Sequence, residues 1–232
     1  MLRGMIQGIF SYIFPARCLL CGDHVLPSTL GVCSGCASRI RPVPHPACPV
    51  CGNPSGTEDV CMGCLTDPPP YDRLMSAALF DGPLKDMIHA FRYADATYYK
   101  RFLARLLYDL VRDELAQCDM ITFVPLHWSR MVARGYNQAA LMAQGLSRMS
   151  RIPLRYGVLR KTRATPTQVG LSRSQRKRNL SDTFQARGVA GRAVLVVDDV
   201  VTTGHTALEV SRALKKAGAR RVLFASAGRI VA

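Results

Sequence analysis

Residues 194–206, Val-Leu-Val-Val-Asp-Asp-Val-Val-Thr-Thr-Gly-His-Thr, decide how this chain folds. The apolar run Val194-Leu195-Val196-Val197 predicts a strand buried on both faces, the kind found inside a parallel sheet. Asp198 and Asp199 follow at its end, and Thr202-Thr203-Gly204-His205-Thr206 turns into a helix. Such a turn presents successive backbone N–H groups at a helix N-terminus, a preformed site for a phosphate dianion, with the threonine hydroxyls as further donors. Gly204 allows the backbone to approach closely. The two carboxylates then lie where a sugar held by its 5-phosphate would put its 2- and 3-hydroxyls, which need acceptors. A strand that merely ends in a polar turn before a capped helix explains the threonines but not two adjacent acids on a buried strand. Neither a G-x-x-x-x-G-K-[ST] phosphate loop nor a GxGxxG dinucleotide loop is present.

Outward from this stretch, short apolar runs alternate with helical periodicity. Strands are expected at Leu74–Phe80, Met120–Val124, Leu154–Leu159 and Arg221–Ala225. Helices are expected at Pro83–Tyr93, Tyr98–Ala116, Gly135–Met149 and Thr206–Lys216, with Leu103, Leu106, Leu107, Leu110 and Val111 on one face of the second. This is an α/β pattern: a parallel sheet with helices on both faces, whose ligands collect beyond the carboxyl ends of the strands. Two strand ends carry polar residues there, Val124-Pro125-Leu126-His127 and Val197-Asp198-Asp199.

The N-terminal third follows other rules. Eight of the nine cysteines form four CxxC pairs, Cys18/Cys21, Cys33/Cys36, Cys48/Cys51 and Cys61/Cys64. The two-residue spacer lets both thiolates of a pair reach one ion, and two pairs complete a closed tetrahedral shell of four thiolates. Two structural Zn2+ ions account for all eight, in two consecutive zinc ribbons; an interleaved pairing stays open. Disulfides would need an oxidising compartment, and no export signal is evident. With four thiolates filling each shell these metals are expected to be structural, so chemistry must lie elsewhere. Cys118 is most simply a buried core residue. Pro68-Pro69-Pro70 cannot continue a helix or a central strand and marks the boundary between a ribbon module over 15–68 and an α/β domain over 71–232. Residues 1–14 predict a short helix capping a core, with an amphipathic foot on a membrane surface as the alternative. Met5–Phe14 falls short of the roughly 20 apolar residues that span a bilayer. The expected location is cytoplasmic, with the inner face of the membrane left open.

The formal charge of +15 is concentrated. From Met120 to Ser181 there are twelve Lys or Arg residues and no acid, against 19 bases and 16 acids elsewhere. Positive charge gathered in this way attracts phosphates, on a small molecule or along a nucleic acid, and the attraction weakens with salt. Outside the expected strand Met120–Val124, which contains Phe123, only Trp128, Tyr136 and Tyr156 are available to stack on bases within that segment.

The 194–206 segment matches the phosphoribosyl pyrophosphate (PRPP) signature of the type I phosphoribosyltransferases, and the chain as a whole resembles the ComF family (competence protein F). Further carriers of the resemblance are Arg134-Gly135-Tyr136-Asn137-Gln138 after Val124-Pro125, and Arg160-Lys161-Thr162-Arg163 with Gln168, Leu171, Arg176 and Asn179. The resemblance implies a double zinc ribbon joined to a phosphoribosyltransferase-like domain. It implies that Val200, Val201, Thr202, Thr203, Gly204, His205 and Thr206 bind PRPP, and that Val124–Arg130 forms the pyrophosphate loop, with His127 and Arg130 as donors. Arg160, Lys161, Arg163, Arg176 and Arg178 fall where relatives carry a flexible loop that closes over PRPP. The reaction implied is displacement of pyrophosphate from the anomeric carbon by a nitrogen nucleophile, assisted by one Mg2+, with Asp198 and Asp199 orienting the ribose and stabilising its developing charge. Residues 71–117 would form the hood that selects the acceptor, and no base-binding motif stands out in them. The family also implies a part in natural transformation and DNA uptake. A non-catalytic PRPP pocket that holds single-stranded DNA through the basic segment and the ribbons is the second expectation.

Overall fold

A parallel strand buried on both faces needs partners on either side and helices above and below, and the chain supplies them. The computed structural model describes residues 16–25, 30–94, 96–162 and 183–231. In chain order it contains α1 (Ser34–Ala37), α2 (Met62–Thr66), β1 (Arg73–Leu79), α3 (Gly82–Tyr93), α4 (Lys100–Val111), β2 (Met120–Phe123), α5 (Trp128–Arg134), α6 (Gln138–Ser150), β3 (Leu159–Lys161), β4 (Phe184–Ala186), β5 (Ala193–Val201), α7 (His205–Lys216) and β6 (Arg221–Arg229). Four strands make one sheet in the order β1-β6-β5-β2, every neighbour parallel. β3 and β4 form a separate antiparallel hairpin.

Alternation along β5 and β6 divides the core. Leu195, Val197, Leu223 and Ala225 face α3, α4 and α6, where Leu84, Met87, Phe91, Leu103, Leu107 and Met142 are buried. Val194, Val196, Val222 and Phe224 face α7 and the hairpin, against Val210, Leu214, Leu159 and Phe184. Gly145 lets α6 close on α4, since a Cβ there would meet that of Ala104 at 2.5 Å.

The structure corrects several sequence boundaries. β5 does not stop at Val197: it pairs with β6 as far as Val201 opposite Arg229, so both acids sit inside the strand. The helix expected over Tyr98–Ala116 is α4 with a 3-10 turn on each side, Thr97–Tyr99 and Leu115–Gln117. The strand expected over Leu154–Leu159 is broken: Leu154 makes one bridge to Ile121, the chain turns at Gly157 (φ +68°), and Leu159 begins the hairpin. Gly135 does not open α6 but ends α5 in a left-handed cap, and the Asn137 side chain caps α6 by accepting from Ala140 N–H. The expected N-terminal helix over 1–14 lies outside the described residues.

The cysteine module packs along the edge strand β1. Leu74 N–H donates to Val50 O (2.7 Å), Leu79 N–H to Arg41 O (2.8 Å), and the Arg229 guanidinium to Cys51 O (2.7 Å). Gly52 is required at this contact because a Cβ would lie 2.7 Å from Leu74 O. An otherwise open row of backbone donors and acceptors is thereby covered. No helix among the described residues is long and apolar enough to cross a membrane.

Candidate functional site

The cysteines form two quartets in sequential pairing, Cys18/Cys21/Cys33/Cys36 and Cys48/Cys51/Cys61/Cys64, with the ligand atoms of each within 4.8 Å of one another. The interleaved arrangement is therefore not adopted. The two quartets repeat one construction. Cys18 O accepts from Gly22 N–H at 2.9 Å and Cys48 O from Gly52 N–H at 2.8 Å. Cys33 N–H donates to Cys18 Sγ and Cys61 N–H to Cys48 Sγ, both at 3.3 Å. Sγ atoms of Cys21 and Cys33, and of Cys51 and Cys61, lie 3.7 Å apart, close to the edge of about 3.8 Å that a tetrahedron of Zn–S bonds near 2.3 Å would have. Burial would raise the thiols of Cys18 and Cys48, but backbone N–H donors outweigh it and bring each down to about 6. Cys118 is half-buried, donates to Glu114 O, and is pushed up to about 11 by burial, an inert thiol.

The second site opens where β2 and β5 end. A cleft of about 430 Å³ is lined by both polar strand ends, Val124-Pro125-Leu126-His127 and Asp198-Asp199-Val200, with Thr202 and Thr206 on the turn into α7. Gly204, at φ 74°, is the N-cap residue of α7 and supplies the left-handed step of that turn. His127 caps α5, its Nδ1 2.8 Å from Ser129 Oγ. Arg130 falls in the same short helix, and its side chain lies outside the described residues. Thr203, Gly204 and His205 belong to the turn without lining the cleft, and Val201 turns its side chain into the core, so any ligand contact from it would be through backbone.

Sequence reasoning missed how the acids are held. Arg92, from the end of α3, grips Asp199 with two parallel bonds, Nε to Oδ2 at 2.7 Å and Nη2 to Oδ1 at 2.6 Å. Asp198 has no such partner. Burial first, and then the adjacent Asp199 charge, push its carboxyl well above the usual carboxylate range, against the pull of the Asp199 N–H and Arg92. The cleft thus keeps one acid paired and the other under strain.

The motif Arg134–Gln138 builds the facing wall. Asn137 donates to Val124 O (2.9 Å), fixing the end of β2 to the start of α6. Tyr136 Oη and Gln138 Nε2 donate to Phe91 O, at 2.7 and 3.2 Å, and anchor the end of α3 that carries Arg92. Arg134 stacks on Tyr93, its guanidinium carbon 4.9 Å from the ring centroid.

Of the basic-loop residues, Lys161 lines the cleft and Arg160 points to solvent. Arg163, Arg176 and Arg178 lie outside the described residues. Thr162 N–H donates to Thr183 O (2.9 Å), extending the β3–β4 hairpin, whose Lys161 and Phe184 line the cleft.

Comparison with known proteins agrees with this arrangement. A double zinc ribbon domain model matches residues 9–65, and a phosphoribosyl transferase domain model matches residues 132–227. The chain is 35% identical to "Competence protein F" of Haemophilus influenzae over 219 residues, 90% of this chain and 95% of that one. It is 37% identical to "DNA utilization protein YhgH" of Escherichia coli K12 over 215 residues, 90% of this chain and 94% of the relative. Among solved structures, a glutamine PRPP amidotransferase from Bacillus subtilis overlaps 55% of this chain and 25% of its own at 23% identity, with a TM-score of 0.39.

Proposed function

The chain belongs to the ComF (competence protein F) family, and from that premise we propose that its cleft binds PRPP in the service of DNA uptake and utilisation, as a phosphoribosyltransferase-like protein. The observation that carries this reading is the meeting in one cleft of Asp198 and Asp199, Thr202 and Thr206 from the turn into α7, and the β2 end with His127. Thr202–Thr206 takes the 5-phosphate through backbone N–H groups and hydroxyls. Asp198 and Asp199 accept from the ribose hydroxyls. His127, with Arg130 beside it in sequence, faces the pyrophosphate, and Lys161 brings a further cation to the leaving-group side. Among the described residues no third acid joins the pair to make an all-protein cation cage, which suits a Mg2+ carried in by the pyrophosphate and held by water and one or two carboxylates. When bound, that ion neutralises charge on the departing pyrophosphate.

A second reading is a PRPP-binding protein without transferase activity, and the Arg92–Asp199 pair favours it. Both Asp199 oxygens are already occupied in the resting site. In this reading the basic segment and ribbons contact single-stranded DNA or the uptake machinery at the inner face of the membrane. Calorimetry with PRPP and Mg2+ tests the shared part: Asp198→Asn with Asp199→Asn should abolish binding while the fold persists, and unchanged affinity would remove PRPP from this cleft. Pyrophosphate release in the presence of a panel of nucleobases then separates the two, since release with any base establishes transfer and binding without release supports the second reading.

A further inference from the structure

Where β2 and β5 begin, at the opposite end of the sheet from the cleft, a second hollow of about 530 Å³ opens. Three separate stretches of chain line it: Arg155 and Tyr156 after the Leu154 bridge, Arg187 after β4, and Arg192 just ahead of β5. The three arginines are exposed, and none makes a salt bridge among the described residues, although Arg192 is near enough to Asp119 for its charge to help hold that carboxyl down. Elsewhere, Arg41, Arg73, Arg92, Arg105, Arg212 and Arg221 each face a carboxylate. The acid in the lining, Asp119, is committed: it accepts from Ala193 N–H at 2.7 Å and meets Arg220 at 3.6 Å.

The hollow is built rather than incidental. Arg187 Nε donates to Gly157 O at 3.2 Å, and Gly157, at φ +68°, supplies the left-handed turn that presents this carbonyl. The main chain of Arg192 is fixed at both ends, N–H to Val189 O at 3.0 Å and O from Arg220 N–H at 2.8 Å. Tyr156 is 61% exposed, yet its ring is held by an edge contact with Phe123 at 5.5 Å. Guanidinium forks match phosphate oxygens in shape and charge, and a fixed, exposed ring offers a face on which a base can stack.

We propose that this hollow is a nucleotide site separate from the cleft, in which Arg155, Arg187 and Arg192 hold the phosphate and Tyr156 carries the base. The ligand is a nucleotide, free or as a unit of a single strand. The hollow lies at the start of β2 and the cleft beyond its end, about four residues or roughly 13 Å of strand apart, and the two linings share no residue, so the two ligands need not compete. The assignment goes beyond the PRPP reading and stands or falls without it.

The test uses the full zinc-loaded chain and a labelled oligothymidylate of about 15 nucleotides, a length within the range of known single-strand sites, read by fluorescence anisotropy. AMP, inorganic phosphate and PRPP serve as competitors. The triple variant Arg155→Gln, Arg187→Gln, Arg192→Gln changes only exposed side chains, and zinc content and circular dichroism report its fold. Its affinity should fall at least about tenfold, and its salt dependence should be shallower by about 2, since each single-strand phosphate contact contributes about 0.7 to the slope. Tyr156→Leu should weaken binding about fivefold or more with the slope unchanged. AMP should displace the strand at concentrations where inorganic phosphate does not, while PRPP and the Asp198→Asn, Asp199→Asn variant should have no effect. Wild-type affinity and slope in the triple variant, or no binding of strand and AMP alike, overturns the site. Equal displacement by phosphate and AMP overturns the role of Tyr156, and displacement by PRPP overturns the separation from the cleft.

Discussion

The ribbons and the cleft solve opposite electrostatic problems. In each ribbon four thiols converge, backbone N–H groups point at sulfur, and one divalent ion would satisfy everything that has been gathered. In the cleft, two acids are adjacent in sequence and one guanidinium grips only the second, so Asp199 is answered and Asp198 is not. A site that closes on itself stabilises the fold. A site left in conflict keeps its interactions for a ligand, and adjacent residues of one type then have opposite effects on stability.

The sharpest way to break this contrast is to remove a ribbon ligand. Cys48→Ser with Cys51→Ser should lower the zinc content from two ions to one, because structural Zn2+ contributes on the order of 10 kcal/mol to the folding of small domains. Limited proteolysis should then cut within 42–68, while the buried α/β core stays resistant. Two ions per chain and an unchanged digest would show that the second quartet is not a metal site.

The next effect is smaller and lies in the cleft. Asp199→Asn leaves the largely buried Arg92 without its counter-charge, and an unsatisfied buried polar group costs about 1–3 kcal/mol. Denaturant midpoints should drop accordingly, and combining Asp199→Asn with Arg92→Met should recover much of the loss, because the two residues act as a pair. Additive losses in the double variant would mean that the pair contributes nothing as a pair.

This contrast also marks what a sequence discloses. CxxC spacing and the run Val194–Thr206 carry their chemistry in local order, and the quartets, the sheet and the position of the acids at its carboxyl end could be read from them directly. Arg92 could not, because its meaning depends on a partner 107 positions away in the chain. The motif Arg134–Gln138 was visible as a motif, but its task of anchoring the end of α3 exists only in three dimensions. The short strands β3 and β4, three residues each, are too brief to show periodicity. The mostly exposed helix α5 has no apolar stripe to announce it, its Trp128 and Val132 facing solvent at 71% and 76%.

The smallest expected effect has the opposite sign. Asp198 is the acid whose ionised form burial and Asp199 both disfavour, so its folded-state pKa stands above its unfolded value. A carboxyl shifted upward binds more protons in the native state than in the unfolded one, and stability therefore falls as pH rises between the two values. Below the unfolded value of about 3.9 both states are protonated and no penalty exists; above the folded value the penalty is complete. Asp198→Asn keeps the volume and removes the charge. It should therefore stabilise the chain at neutral pH by about 0.5–2 kcal/mol, in the manner of substitutions that relieve a strained functional site, and the gain should shrink to nothing as pH is lowered toward the ordinary carboxylate range. Urea denaturation of wild type and variant across a pH series measures the difference directly. A loss of stability at neutral pH, or a gain independent of pH, would place Asp198 among the answered charges and erase its contrast with the ribbons. A gain confined to higher pH, with PRPP binding lost, would show that this residue's cost to the fold comes from the same charge that serves the ligand.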